Sequence, residues 1–401
     1  FSYALKEVYG KQKLKMSPYF YPSNYVVLDA KGMEILSVMA DGKELQHLYT
    51  NNELYVLFGR KLNRNEEISL EINYIARPDE IKNEAGAAIS DSKGWYFINP
   101  DKSDSNKPRQ IWTQGETEYN SCWFPIIDAP NQKLTHDIKV TLYKNEVSLS
   151  NGLLVSSKVI NDSMKVDHWK MDQPHAPYLV MMAIGDFAVI KDKWNNIDVH
   201  YYVEKEYEKH ARLIFGNTPE MIGFYSKILG VNYPWKKYHQ IVVRDFVSGA
   251  MENTTAVVHY EPVQHTDREH LDDPQELIIA HELFHHWFGD LVTCESWANL
   301  PLNESFATYG EYLWLEHKYG KWEADQHLHN NFNQYFDEAS EKQVELIRYE
   351  YVKPLDMFDR HSYQKGGHVL HMLRDYLGDE AFFEGLKYYL NAHAYQSVEI
   401  H

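Results

Sequence analysis

Two histidines four residues apart on a helix stand one above the other on one face, so both imidazoles can reach a single metal ion. His281 and His285 have that spacing in the run His281-Glu282-Leu283-Phe284-His285. Glu282 lies beside them, placed to take a proton from a water that the metal activates. Upstream, Asp273-Pro274-Gln275-Glu276 predicts the helix start, with Asp273 as N-cap, Pro274 at the first helical position and Glu276 three residues after the cap. The helix is expected to continue through Phe288 and to end at Gly289. Apolar residues surround it on nearly every side, which predicts burial. Buried imidazoles and a buried carboxylate need partners, and a zinc ion would supply one.

A hydrolytic zinc site requires a third protein ligand and an open fourth position. A histidine six residues after the second one, with a glycine three after it, would be one source; Leu291 and Phe288 hold those positions and exclude it. A glutamate on a following helix is the other. Pro301-Leu302-Asn303-Glu304-Ser305-Phe306-Ala307-Thr308-Tyr309 opens such a helix, expected to run to Tyr319 and stop at Gly320. Glu304 follows His285 after 18 intervening residues, enough for the chain to turn and return antiparallel. With 21 His in the chain, a chance His-Glu-x-x-His is roughly a one-in-ten event, and a Glu at one fixed later position lowers that below about one in a hundred.

The elements that must hold these residues divide the chain in two. Of its 401 residues 44 % are hydrophobic and 24 % charged, a globular composition long enough for more than one domain. In the first part Ile68, Leu70, Ile72 and Tyr74 alternate with polar residues, and Leu134, Ile138, Val140 and Leu142 repeat the pattern with His136 in phase. Turn pairs such as Asp41-Gly42 and Asn151-Gly152 punctuate these runs. Residues 1–188 are therefore expected to form one antiparallel β domain, a sandwich or curved sheet. Beyond the polar stretch Asp192-Lys193-Trp194-Asn195-Asn196 helices dominate, beginning with one from Tyr207 to Leu229 that stops at Gly230. Residues 189–401 read as an α-rich domain with a small sheet.

Charge and cysteine content narrow the function classes. A net charge of −18 argues against nucleic acid or an anionic membrane surface as the main partner. Two cysteines, Cys122 and Cys294, allow neither a disulfide framework nor a thiolate metal cluster, and Cys294 is expected to be a small buried hydrophobe. The longest apolar stretch, Tyr178 to Ile190, is interrupted by Asp186 and too short to span a bilayer.

The run from His281 to Asp290, followed by Asn303-Glu304-Ser305-Phe306-Ala307, resembles the zinc aminopeptidases of the aminopeptidase N and leukotriene hydrolase family, of the gluzincin type. Ser248-Gly249-Ala250-Met251-Glu252-Asn253 is similar to that family's Gly-Ala-Met-Glu-Asn motif, and the pairing of the two motifs is specific. Ile111-Trp112-Thr113-Gln114-Gly115-Glu116 resembles the β-domain segment that reaches into the family's catalytic cleft, and Ser362-Tyr363-Gln364-Lys365-Gly366-Gly367 the segment that bears its catalytic tyrosine. The resemblance implies a multidomain α+β fold, with a saddle-like antiparallel β domain over 1–188 and a thermolysin-like zinc metalloprotease domain over 189–401. It further implies that strands precede Phe1 and that catalytic sequence follows His401.

Roles follow from the resemblance residue by residue. One Zn2+ per chain would be held by His281, His285 and Glu304, with Glu282 as general base and Tyr363 as donor to the oxyanion. Glu252 and Glu116, assisted by Gln114, would accept the free α-ammonium of a peptide substrate, since two carboxylates side by side repel each other unless a cation intervenes. Gly249 and Ala250, with Met251 in the same motif, would line the peptide as an edge strand. His286 points off the ligand face, and His265, His270, His361, His368 and His371 lack ligand spacing, so all six read as structural. Segment Pro130-Asn131-Gln132-Lys133 with the Gln-Gly-Glu version resembles a bacterial branch whose members are frequently exported. The expected activity is removal of N-terminal residues from peptides. Its rivals are an endopeptidase or epoxide hydrolase on the same fold, and a non-catalytic scaffold.

Overall fold

The computed structural model describes residues 1–401. The alternating runs of the first part become strands buried on one face. Ile68–Ala76 lies between Val8–Met16 and Met33–Ala40, with Lys43–Glu44 beyond, all antiparallel. Leu134–Tyr143 pairs with Met164–His175, which pairs in turn with Leu153–Val159. Instead of one continuous sheet this part holds several. A three-stranded sheet follows the order Ser23–Asp29, Glu53–Leu62, His47–Thr50, and a four-stranded one the order Val147–Ser150, Met182–Gly185, Gln110–Thr113, Trp95–Ile98. Every residue of Gln110–Thr113 is buried, and its C-terminal end delivers Gln114 and Glu116 toward the second part of the molecule.

That second part is built on a mixed five-stranded sheet in the order Phe187–Trp194, Ile197–Glu204, Lys237–Val243, Ala256–Tyr260, Ala250–Met251. All seven residues of Lys237–Val243 are buried, as a strand covered on both faces requires. Its side chains alternate between two cores. Ile241 and Val243, with Tyr202 and Val258, join the core of the β domain. Tyr238 and Val242, with Tyr201, Val203 and Val257, face the helices. The two parts thus share a core across one face of this sheet.

Phe187 and Ala188 pair with Glu204 and Val203, so the five-stranded sheet begins just before the expected division at 188/189. Two local expectations are corrected. The stretch from Tyr207 to Leu229 is not one helix but two, Ala211–Phe215 and Thr218–Ile228, because Pro219 at the start of the second supplies no amide hydrogen to continue the first. The His281 helix runs Glu276–Phe284 with Gln275, at φ 55°, as its N-cap, and it ends short of the expected Phe288 because the His286 and Trp287 amides bond three residues back, to Leu283 O and Phe284 O. Asp273 Oδ1 accepts the Gln275 amide 3.2 Å away, a short turn that occupies the carboxylate before the helix starts. The helix Pro301–Tyr319 begins and ends at the expected residues, stopping at Gly320 with φ 93°. No helix is long and apolar enough to cross a membrane.

Candidate active site

Helix Glu276–Phe284 carries His281, His285 caps its C-terminal end still in right-handed helical geometry, and helix Pro301–Tyr319 packs against it with Glu304 on the facing side. The approach is close: a Cβ on Gly310 would fall 2.5 Å from Phe284 Cγ, so only glycine lets the two backbones come this near. As a result His281 Nε2 and His285 Nε2 lie 3.2 Å apart, and Glu304 Oε2 is 3.3 Å from the first and 3.4 Å from the second.

The other ring nitrogens explain the orientation. His285 Nδ1 is 2.9 Å from Phe288 O, and a carbonyl can only accept, so Nδ1 carries a hydrogen and Nε2 is the nitrogen turned toward His281 and Glu304. His281 Nδ1 is 2.7 Å from Glu311 Oε1, and Glu311 Oε2 is 2.9 Å from His327 Nε2. Carboxylate and carbonyl partners on the far nitrogens are what metal-ligating imidazoles use to fix their tautomer. The field at this point favours positive charge. Burial opposes it at His285, yet Glu252 and Glu304 raise that imidazole to about 10. Burial also works against ionisation of Glu304 and Glu311, but the surrounding imidazoles pull each carboxyl down to about 2. Two imidazole nitrogens and one carboxylate converging on a single point in such a field fit a tetrahedral zinc ion.

Glu282 is buried beside this trio with Oε2 unpartnered; burial pushes its carboxyl up to about 8 against the pull of His281 and His285. Tyr363 lies across the cleft, its ring parallel to that of His281 at 6.1 Å between centroids and 10° between planes. Next to Glu304, Glu116 and Glu252 bring carboxylate oxygens within 4.8 Å of it and of each other. Glu116 Oε1 has no hydrogen-bond partner, whereas Glu252 Oε1 accepts from Tyr178 Oη at 3.3 Å. Burial, and then each other's charge in the case of Glu116, raises both carboxyls above their ordinary range.

A cavity of about 360 Å3 joins these groups. It is lined by Glu116, Glu252, His281, Glu282, His285, Glu304, Glu311 and Tyr363, and by Gly249 and Ala250 at the sheet's edge. Apolar walls come from Ala88 and Ile89 of the β domain and from Leu277, Ile278 and Phe358. Gln114 and Met251 do not line it. Gln114 is buried with both side-chain polar atoms unpartnered, and Met251 packs with Tyr178 and Trp297.

The remaining histidines lie elsewhere. His286 accepts the Thr255 amide at Nε2 (3.0 Å) and sits against Tyr233 and Tyr238. His265 and His270 bond each other, His361 bonds Glu338, His368 bonds Leu328 O and His371 bonds Tyr309. Cys294 is fully buried in an apolar cluster. Sequence reasoning missed Glu311 and Tyr178. Glu311 stands seven residues after Glu304 on the same helix face, a spacing that could have found it. Tyr178, which also takes a hydrogen bond from Asn303 at 3.1 Å, has no such signal.

Residues 4–179 match the peptidase M1 N-terminal domain and residues 214–401 the peptidase family M1 domain. The chain is 31% identical over 391 residues to the probable aminopeptidase 1 of Sulfurisphaera tokodaii, across 95% of this chain and 46% of that protein. It is 29% identical over 327 residues to aminopeptidase M1 of Arabidopsis thaliana, across 78% of this chain and 36% of that one. The chain therefore spans about half or less of the length of these curated relatives. Among solved structures, an M1 zinc metallopeptidase variant from Deinococcus radiodurans bound to a Tyr-Ser-Ala substrate superposes with a TM-score of 0.78 at 21% identity, over 98% of this chain and 84% of that one. At that identity the likeness speaks for the fold alone.

Proposed function

The chain belongs to peptidase family M1, and from that premise we propose that it works as a zinc-dependent aminopeptidase on peptides with a free N-terminus. The observation that carries this reading is the convergence of Glu116, Glu252 and Glu304 within 4.8 Å beside the paired imidazoles. A metal site alone fits any metallohydrolase. A second carboxylate pair beside it, with no cationic partner and Glu116 Oε1 unbonded, fits a substrate whose reacting bond lies next to a cation.

His281, His285 and Glu304 would hold the zinc, which supplies Lewis acidity for activating water and polarising the scissile carbonyl. Glu282 accepts the proton of the attacking water and returns it to the departing amine. Burial raises its carboxyl above the ordinary carboxylate range, which strengthens it as a base. Tyr363 donates its hydroxyl to the carbonyl oxygen as negative charge develops there. Burial and the surrounding glutamates keep that phenol protonated. Glu252 and Glu116 accept hydrogen bonds from the α-ammonium, whose charge offsets their mutual repulsion. The peptide backbone pairs along the edge strand Ala250–Met251, where Gly249 and Ala250 present little side chain. The β domain supplies Glu116, and the part of the chain from about residue 187 supplies the rest.

The test compares a short peptide with its N-acetylated twin, each with and without a zinc chelator. Release of the first residue from the free peptide alone, abolished by the chelator, is the expected result. Internal cleavage of both peptides would replace this reading with an endopeptidase. Stoichiometric zinc without cleavage of either would replace it with a binding role.

A further inference from the structure

Tyr363 is held by groups that have no part in the chemistry described above. It belongs to a π-helical turn, His361–Lys365, between the short helix Pro354–Met357 and the helix Gly366–Leu377. Such turns are uncommon and need outside support for their displaced backbone groups. Asp359 provides it. Its Oδ1 accepts the amides of His361 (3.1 Å) and Ser362 (3.0 Å). Its Oδ2 accepts Arg348 Nη1 at 2.7 Å and Lys342 Nζ at 2.5 Å. Arg348 reaches further and donates Nη2 to Met357 O at 3.2 Å, the carbonyl that Ser362 Oγ also bonds at 2.6 Å.

The opposite side of the turn is tied to the metal site. Ser305, next to Glu304, donates Oγ to Ser362 O at 2.6 Å. A Cβ on Gly366 would fall 1.7 Å from Ser305 Oγ, so the turn sits directly on the Glu304 helix. The Tyr363 ring emerges between these two anchors. Glu338 and His361, bonded at 2.7 Å, lie close to Asp359 and with it resemble a metal-ligand trio. Lys342 and Arg348 already supply the positive charge there, so a cation has no call on that carboxylate.

We propose that Asp359, held in place by Arg348, is a positioning residue that sets the Tyr363 hydroxyl against the substrate's carbonyl oxygen. The inference rests on the reading of Tyr363 as oxyanion donor. Neither Asp359 nor Arg348 lines the cavity, so each acts only through the turn. A buried ion pair that loses one partner leaves the other uncompensated, and the turn would then relax. A displacement of about 1 Å at a reacting group can cost about 100-fold in rate.

A double-mutant cycle on the zinc-loaded enzyme tests this, with Asp359→Asn, Tyr363→Phe and the pair, each checked for zinc content and thermal unfolding. Tyr363→Phe should lower kcat by about 10²–10³, and Asp359→Asn by about 10–100-fold at nearly unchanged KM. In the Tyr363→Phe background Asp359→Asn should cost less than about twofold, because the group it positions is gone. Arg348→Lys, which keeps one donor, should retain most of kcat where Arg348→Met loses it. Multiplicative losses in the double variant overturn the proposal, as does full activity in Asp359→Asn. So does loss of zinc or of folding in both Asp359→Asn and Arg348→Met, which would make the ion pair a structural brace. An unchanged kcat in Tyr363→Phe would instead remove the tyrosine from the reaction, a distinct result.

Discussion

Two pairs of glutamates stand side by side in this cleft with their carboxyls shifted in opposite directions. Glu304 and Glu311 are each bracketed by imidazoles, and although burial opposes it, both carboxyls are pulled down to about 2. Glu116 and Glu252 are buried as well, and burial raises both. The difference lies in the partners. Glu311 touches His281 and His327, while Glu116 Oε1 touches no donor and Glu252 has only the hydroxyl of Tyr178. One pair completes its charge balance within the protein and orients the imidazoles of the candidate metal site. The other is left short of a cation, and a buried carboxylate without one is costly. On the proposed function that deficit is the specificity device: the substrate's ammonium supplies the missing charge.

Substitutions on the two sides should therefore fail in different ways. The largest effect is expected from Glu304→Gln, which removes the charged ligand. Zinc measured after dialysis should fall far below one per chain, and hydrolysis should drop to background. Glu282→Gln should leave both sides intact: zinc stays stoichiometric and a free-amine inhibitor still binds, but kcat falls by about 10²–10⁴ with loss of the proton carrier. Retained turnover in that variant would sink the general-base assignment.

Glu252→Gln separates the pairs most sharply. Zinc content should be unchanged while kcat/KM on a free peptide falls by about 10–100-fold, the worth of a hydrogen bond to a charged group. The ratio between the free peptide and its acetylated twin should narrow by the same factor. If zinc is lost instead, the two pairs are one electrostatic unit and the comparison collapses. The smallest effect is expected from Glu311→Gln. That variant keeps a hydrogen-bond partner for His281 but removes the charge, so zinc affinity, titrated against a chelator, should weaken by about 10–100-fold with full activity restored at saturating zinc.

Much of this arrangement could be read locally. The spacing of His281 and His285 places both on one helix face because α-helical geometry repeats every 3.6 residues whatever surrounds it. Pro301 and Gly320 bound the Glu304 helix for equally local reasons, one lacking an amide hydrogen and the other free to take a positive φ. The alternation around Ile72 and Val140 likewise predicted the strands Ile68–Ala76 and Leu134–Tyr143. Local reasoning failed where two local signals competed. Asp273 had the chemistry of an N-cap, but its carboxylate closes a turn onto Gln275 first. The stretch Tyr207–Leu229 read as one helix, but Pro219 marks the first turn of a new helix within it.

By itself, then, the sequence determined which chemistry the protein could carry: two histidines at metal-ligand spacing on one helix, a glutamate on the next helix as candidate third ligand, and carboxylates in recognisable motifs. Only the tertiary structure decided how those groups meet. The 3.2 Å between the imidazoles depends on the helix backbone, but the distance to Glu304 depends on the missing side chain at Gly310. Glu116 reaches Glu252 because a buried strand of the β domain ends at the catalytic sheet, and Gln114, two residues earlier, lies outside the cavity. Asp359 supports the turn of Tyr363 through backbone amides that no side-chain pattern records. Periodicity fixes directions along one element. Distances between elements are set by how side chains fill the space between them, and that is a property of the packed core as a whole.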